Sequence, residues 1–562
     1  MERKQRMETR YLQADILILG GGSAGCLAAN RALELNPDLK VVVFEKGDIK
    51  YSGSISRGMD ALNIVAIPNF TTPELYVESV RLSCAGIVDA PASYEMARRS
   101  FELLKKLESW GVYFPQDAKG NYRTLQYHPK GEFLAAMEEP DLKVIIAQKA
   151  LEKGTQAINR VMGLDLLMDS GRVAGAIGVN VRTGELVVCQ SKAVILAAGG
   201  TARFSLPNSG YLYGTFDFPG NTGDGYVMAY RAGASLTGME YSRRTMLIKD
   251  ANMPLLAITL TRGGRLLDIY DNILMEGQCH DLAKMEQAFN EGRGPLRIKL
   301  SHLKTEVIEE IENILFTTER PVQKRFFQGR GIDFRKREIE LWPTECQLCG
   351  GHGMSGIVVN EKAETEVPGL YAAGDVACVP KQHLTGAFVF GEVAAEQAVK
   401  FVSANPGVKL DSGQVRAVET RRNCLLTSAG RDIDVRELEY KVRRLIGDYV
   451  ISPKNEYKLL RWAEWAERFK EEVKRQVMVR DGHELSKLYE VEHIIQCATL
   501  SARASLERKE SRWGGAHRRT DYPETDDKNW FCHVVLRQGE APGDIQVYTK
   551  PIVEREGKGV RP

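Results

Sequence analysis

Gly20-Gly21-Gly22-Ser23-Ala24-Gly25 carry the most specific chemistry in this sequence. They follow the apolar run Ile16 to Leu19 and open an alanine-rich helical stretch, and Glu45 closes a second apolar run, Val41 to Phe44. In that order the pieces form a dinucleotide site. Gly20 allows a tight turn out of the strand, Gly22 admits a pyrophosphate against bare backbone, and Gly25 lets helix and strand pack closely. The diphosphate then rests on the helix N-terminus, beside Ser23 and Ala24. A carboxylate at Glu45, with Lys46 next to it, suits a ribose diol and repels a 2′-phosphate, which disfavours NADP. A second pair of reactive residues, Cys346 and Cys349, has the spacing of a dithiol or of half a metal site. Two thiols hold no cluster alone, and buried reduced cysteines in a close-packed loop are the preferred reading, with a redox-active pair the alternative.

The elements that position the fingerprint are a βαβ unit over about Gln13 to Lys46 and the small-residue segment Tyr51 to Asn63. That segment contains Ser52, Gly53, Ser56, Gly58 and Met59, and its small side chains let a bulky ring lie against the backbone. Ala193 to Leu196 reads as a buried strand entering the glycine turn Ala197-Ala198-Gly199-Gly200, and Asn221 to Gly225 starts a helix that Thr222 or Asp224 is fit to cap. Gly369 to Asp375 repeats the theme, an apolar strand ending in Gly374 and Asp375. The span from about Arg243 to Pro343 mixes short strands with charged helices and reads as an inserted lid. Beyond Phe401, Leu459, Trp462, Ala466, Phe469, Val473 and Val477 step by three and four, as do Leu488, Val491, Ile495, Ala498 and Ala502. These are packing stripes. The tail Glu540 to Pro562 reads as extended, or as wrapping a partner.

A chain of 562 residues exceeds one core and should divide into several. Hydrophobic content of 43 % and charged content of 27 % are ordinary for a globular protein, and a net charge of +2 gives no electrostatic case for nucleic acid. No stretch approaches the roughly 20 apolar residues of a membrane span, and Met1 to Arg10 lacks the apolar core of a secretory signal, so a cytoplasmic location is expected. The ten cysteines are mostly scattered singly. No metal site is therefore expected in the chain, and an iron–sulfur cluster belongs to a partner.

Together these motifs resemble the FAD-dependent flavoprotein subunits of fumarate reductase and succinate dehydrogenase. The carrying residues are Gly20 to Gly25 with Glu45, Thr222 to Gly225 with Arg231 to Ala234, Gly369 to Asp375, and Arg508 to Arg512 with His517 to Pro523. Within that superfamily, Ser56 to Asn63, Tyr76 to Leu82 and Gly86-Ile87-Val88 look most like the alpha subunit of adenylylsulfate reductase. The resemblance implies an α/β fold: a Rossmann-like FAD-binding domain over residues 1–242 and 344–402, an inserted α+β capping domain over 243–343, and a helical C-terminal domain over 403–562 with an extended tail. It implies FAD along the glycine segments, with Ala198, Gly199, Ala387 and Phe388 among its contacts. The cofactor should be non-covalent, because Gly53 follows Ser52 where succinate dehydrogenases carry the histidine that bonds to flavin.

The resemblance also implies an anionic small-molecule substrate where cap meets flavin, a ferredoxin-like iron–sulfur partner, and assembly into a higher oligomer. Carried over residue by residue, Arg262 matches the proton-shuttling arginine of the dicarboxylate enzymes, and His352 their substrate-side histidine. His383 falls where the superfamily places a substrate arginine or a flavin-contacting loop. Asn63 matches an asparagine that faces substrate in adenylylsulfate enzymes. Arg243 and Arg244 stand where dicarboxylate enzymes carry His-Pro-Thr. Its absence argues against simple succinate or fumarate specificity and leaves one of the two arginines for another anion, or both for salt bridges. The activity implied is reduction of adenylylsulfate to AMP and sulfite. The alternatives are an unsaturated-acid reductase or dehydrogenase, and an FAD electron-transfer subunit without a substrate of its own.

Overall fold

The computed structural model describes residues 9–207, 217–249, 255–277, 282–319, 322–405, 407–427, 430–541 and 543–555. Ile16 to Leu19 and Val41 to Phe44 are buried on both faces, as parallel strands covered by helices must be. Strand Thr9–Leu19 lies at the centre of a seven-stranded sheet, with Val41–Glu45 and then Gln156–Asn159 parallel to it on one side. On its other side it runs parallel to Leu186–Leu196 along nearly its whole length. That long strand splits its far edge between two partners. Its first half pairs antiparallel with Arg172–Asn180, and its last residues pair parallel with Leu370–Ala372. Five parallel strands therefore end together, at Leu19, Glu45, Asn159, Leu196 and Ala372, and the carboxyl end of such a sheet is where ligands bind in open α/β folds.

Helix Ser23–Leu35 leaves the first strand through Gly20, whose φ of 106° requires glycine. It packs on helix His383–Ala404 so closely that a Cβ on Gly391 would stand 2.4 Å from the carbonyl oxygen of Ala24. Residues between 246 and 341 enclose a hydrophobic core of their own, which includes Leu266, Leu296, Ile298, Ile311, Phe327 and Leu341. Its sheet is wholly antiparallel, in the order Met246–Ile248, Ile339–Pro343, Leu296–Lys299, Arg265–Leu267, Ile273–Glu276. The chain enters this cap on the first of these strands and leaves on the second, its neighbour.

Helices Glu456–Arg475 and Gly482–Glu507 bury the two apolar stripes read from the sequence, with Trp462 and Phe469 fully enclosed, except that Val477, also buried, falls beyond the first helix in the short strand Val477–Met478. Residues Ile545–Lys550 form a strand antiparallel to His533–Gln538, because Ile545 and Val547 supply the alternation that a half-covered edge strand needs. Among the described residues no helix is long and apolar enough to cross a membrane.

Candidate active site

A cavity of about 1070 Å³ opens at the carboxyl ends of the parallel strands. Gly20, Gly22, Ser23 and Ala24 form one wall, Glu45 and Lys46 another, and Gly53 and Met59 a third. Ala198, Gly199, Asp224, Gly374, Asp375 and Ala387 complete it, with Asn63, His352 and His383 at its border. The cradle fits a dinucleotide. A Cβ on Gly22 meets nothing within 4 Å and would point into the cavity, whereas a Cβ on Gly25 would stand 1.9 Å from the carbonyl of Gly20. The first glycine keeps space open for ligand and the second permits packing. Gly53, at a φ of 85°, stands against the Cα of Gly22 and offers no side chain for a covalent link.

The Glu45 carboxylate is held by the backbone N–H groups of Gly21 at 2.7 Å and Gly47 at 2.6 Å, and is thereby fixed at the cavity edge as a ribose acceptor would be. Lys46 is not a free cation. Its Nζ donates to the Gly220 carbonyl and the Thr222 hydroxyl and pairs with Asp224 and Glu490, each at 2.9 Å. Burial works against its charge, but those two carboxylates outweigh burial and raise its pKa. Glu490 also binds Arg203, which reaches Glu439. His493 faces Asp224 at 2.8 Å. The floor of the cavity is thus tied to two C-terminal helices by a buried ion network.

Burial raises the Asp224 pKa, but Lys46 and then His493 oppose it and hold the carboxyl at about 2, below its ordinary 3.8. A depressed carboxyl contributes stability in full above its unfolded pKa and loses it as pH falls through the folded value. The urea midpoint of the holoprotein should therefore stay level in neutral buffer and fall between about pH 4 and pH 2, with a shallower acid limb in Asp224→Asn. An unchanged limb in the variant would refute this assignment.

Several expected contacts do not border the cavity. Phe388 is fully buried in the main hydrophobic core and does not line the cavity, whereas its neighbour Ala387 does. Ser56 is exposed and its hydroxyl turns back to the Gly53 carbonyl; Ser52 is buried behind the segment; Gly58 ends the short turn at a φ of 92°. Thr222 lies one layer back, bonded to Asp224 and Lys46, and the helix cap is Gly223 rather than Thr222 or Asp224. The Cys346 and Cys349 thiols are both buried and pushed up by burial, Cys346 to about 11, which is the reverse of an activated dithiol.

A second cavity, of about 920 Å³, shares Met59, Asn63 and His352 with the first and extends beneath the cap. Arg243 and Arg262 both line it. Arg243 is 7 % exposed, donates from Nη1 to the His352 carbonyl at 2.6 Å, and has no partner at Nε. Its neighbour Arg244 borders neither cavity and turns to Glu286 and Cys346, since successive side chains on an extended segment point opposite ways. Arg262 donates from Nε to Glu310 at 2.8 Å and from Nη1 to the Ile258 carbonyl. Glu310 in turn pairs with Arg123, whose side chain is 43 % exposed, so an ionisable chain runs from cavity to solvent.

His352 and His383 meet Nδ1 to Nδ1 at 3.2 Å, so one ring donates and the other accepts. His383 holds a left-handed φ of 48° to reach this position. Burial, with His352 beside it, keeps its pKa well below the ordinary imidazole value. Tyr127 and His128 complete the aromatic group, and burial lowers His128 to about 4 while its Nε2 contacts the Asn63 carbonyl. Sequence reasoning missed these two residues, and it missed Asp60, which lines the second cavity near Arg262 and whose carboxyl burial pushes up.

Comparison with known proteins places these features in context. Residues 15–253 match the family described as FAD binding domain, and residues 441–557 match fumarate reductase flavoprotein C-term. An uncharacterized FAD-dependent oxidoreductase of Methanocaldococcus jannaschii is 28 % identical, over 94 % of this chain and 96 % of its own. A chain of the fumarate reductase (CoM/CoB) of Methanothermobacter marburgensis is 26 % identical, over 95 % of this chain and 99 % of its own. The structure of adenylylsulfate reductase from Archaeoglobus fulgidus superposes with a TM-score of 0.88 at 26 % identity, covering 98 % of this chain and 97 % of that one.

Proposed function

Since this chain is an FAD-dependent oxidoreductase of the fumarate reductase/succinate dehydrogenase family, we propose that it exchanges two electrons with an unsaturated organic acid seated in the cap cavity and passes electrons to a separate iron–sulfur protein. FAD, when bound, supplies hydride exchange with the substrate and one-electron exchange with the partner. The observation that carries this reading is the Arg243 guanidinium, buried beside the shared border of the two cavities with an unspent donor.

Arg243 binds the carboxylate of the substrate and so fixes the position of the adjacent carbons. Arg262 delivers or removes a proton at the carbon next to that carboxylate, and Glu310 and Arg123 restore its protonation from solvent. Asn63 and the His352–His383 pair border the opening between the cavities, where they orient the substrate against the cofactor. The cap's aliphatic residues keep water from the reacting carbons.

A second reading, reduction of adenylylsulfate, is supported by the whole-chain likeness to the Archaeoglobus fulgidus enzyme. The two separate in one experiment. Holoenzyme reduced anaerobically with dithionite is mixed with a panel of enoates and with adenylylsulfate, and flavin absorbance is followed. Reoxidation by enoates supports the proposal. Reoxidation by adenylylsulfate alone, with sulfite and AMP formed, replaces it with the second reading. If no panel member reoxidises the flavin while a ferredoxin still does, the chain is an electron-transfer subunit.

A further inference from the structure

We infer that the acid is a monocarboxylate with an extended apolar body, an inference that rests on the unsaturated-acid reading above. Leu125, Leu134, Met246, Leu247, Leu256 and Ile258 all face the second cavity. They come from both sides of the cleft: the first two from the short sheet beside the dinucleotide domain, the others from the cap strand Met246–Ile248 and the helix Leu256–Leu260. Among the described residues lining this cavity, the charged side chains are Arg243, Arg262 and Asp60.

Charge matching then limits what the cavity accepts. Arg262 is already matched by Glu310 and Glu286 acts first on Arg244, so Arg243, whose Nε has no partner, is the cation with a donor left for one substrate carboxylate. A second carboxylate would find only the neutral groups of Asn63, Tyr127, Thr245, Thr261 and His352, or Asp60, and an anion buried without a matching cation is strongly disfavoured. The same want of a second unmatched cation counts against the phosphosulfate of adenylylsulfate. An alkyl or aryl body instead gains from every carbon placed against Leu, Met and Ile walls.

The reaction balances without a further reagent. In the reductive direction FAD, if bound and reduced, would supply the hydride for the carbon β to the carboxylate as the C=C π bond opens. The α carbon takes a proton from Arg262, which regains one through Glu310 and Arg123. The acid has then gained two electrons and two hydrogens, and the cofactor has lost two electrons.

The test uses dithionite-reduced holoenzyme and the rate of flavin reoxidation by straight-chain enoates of four to eight carbons, by cinnamate, by fumarate and by adenylylsulfate. The second-order rate constant should rise about threefold per added methylene and exceed that for fumarate by about 10²-fold at the longest chain. Titrating the saturated acids into oxidised holoenzyme gives an independent readout, because the flavin spectrum should report tighter binding with each methylene. Leu256→Glu should abolish that gain and leave FAD content unchanged. A flat response along the wild-type series, or faster reoxidation by fumarate or adenylylsulfate, overturns the inference and leaves the cavity's redox role standing. If none of these compounds reoxidises an enzyme that still reduces a viologen dye, the functional reading falls with it.

Discussion

Replacing Gly22 with leucine will give a folded protein without FAD. The position is extended rather than left-handed, and a Cβ there meets no atom, so the new side chain strains nothing and lies where a pyrophosphate must pass. Purified Gly22→Leu should be colourless, remain so after incubation with excess FAD, and melt as cooperatively as wild-type apoprotein. Gly25→Leu should behave differently. Its Cβ would strike the Gly20 carbonyl, so the turn itself cannot form and folding is lost. Yellow, FAD-loaded Gly22→Leu protein would remove the dinucleotide assignment on which every later step depends.

Arg262→Ala should keep its flavin and lose turnover by about 10²–10⁴-fold, the usual cost of removing a positioned proton donor. FAD content and reduction by dithionite should be untouched, because Arg262 borders the cap cavity and not the dinucleotide cradle. Stability should change little, since Glu310 keeps Arg123 as a partner near the surface. The loss should fall on kcat rather than on KM, which distinguishes proton delivery from substrate anchoring by Arg243. Wild-type turnover in Arg262→Ala would discard the role.

The glycine cradle was legible in the sequence because all its constraints are local: Gly20, Gly22 and Gly25 act within one strand–turn–helix, and Glu45 ends the next strand. The inward stripes of the C-terminal helices were legible for the same reason, as the period of the helix alone fixes which side is buried. Phe388 misled because two residues of one helix, Ala387 and Phe388, differ by about 100° in direction, and only one can face the cleft. Arg243 and Arg244 pose the same problem with a period of two, and the bridge between Arg243 and Gln347 settles it. The network around Lys46 had no signal at all. Glu490 lies more than four hundred residues away in sequence, and a glutamate on a charged helix gives no hint that it reaches beneath the cofactor floor. Asp60 and His128 carry no signal for a related reason: Asp60 meets Arg262 of the cap and His128 meets His383, each distant in sequence.

The cap's strands of entry and exit are hydrogen-bonded neighbours, and just before them the Thr344 N–H donates to the Thr245 carbonyl at 2.9 Å. A chain arranged this way can be closed across a single short link at those two threonines, with everything beyond them removed as a cassette. The cap therefore joins the rest of the backbone at one paired point, and a deletion that closed the link there would leave the strands of the dinucleotide sheet in unbroken order.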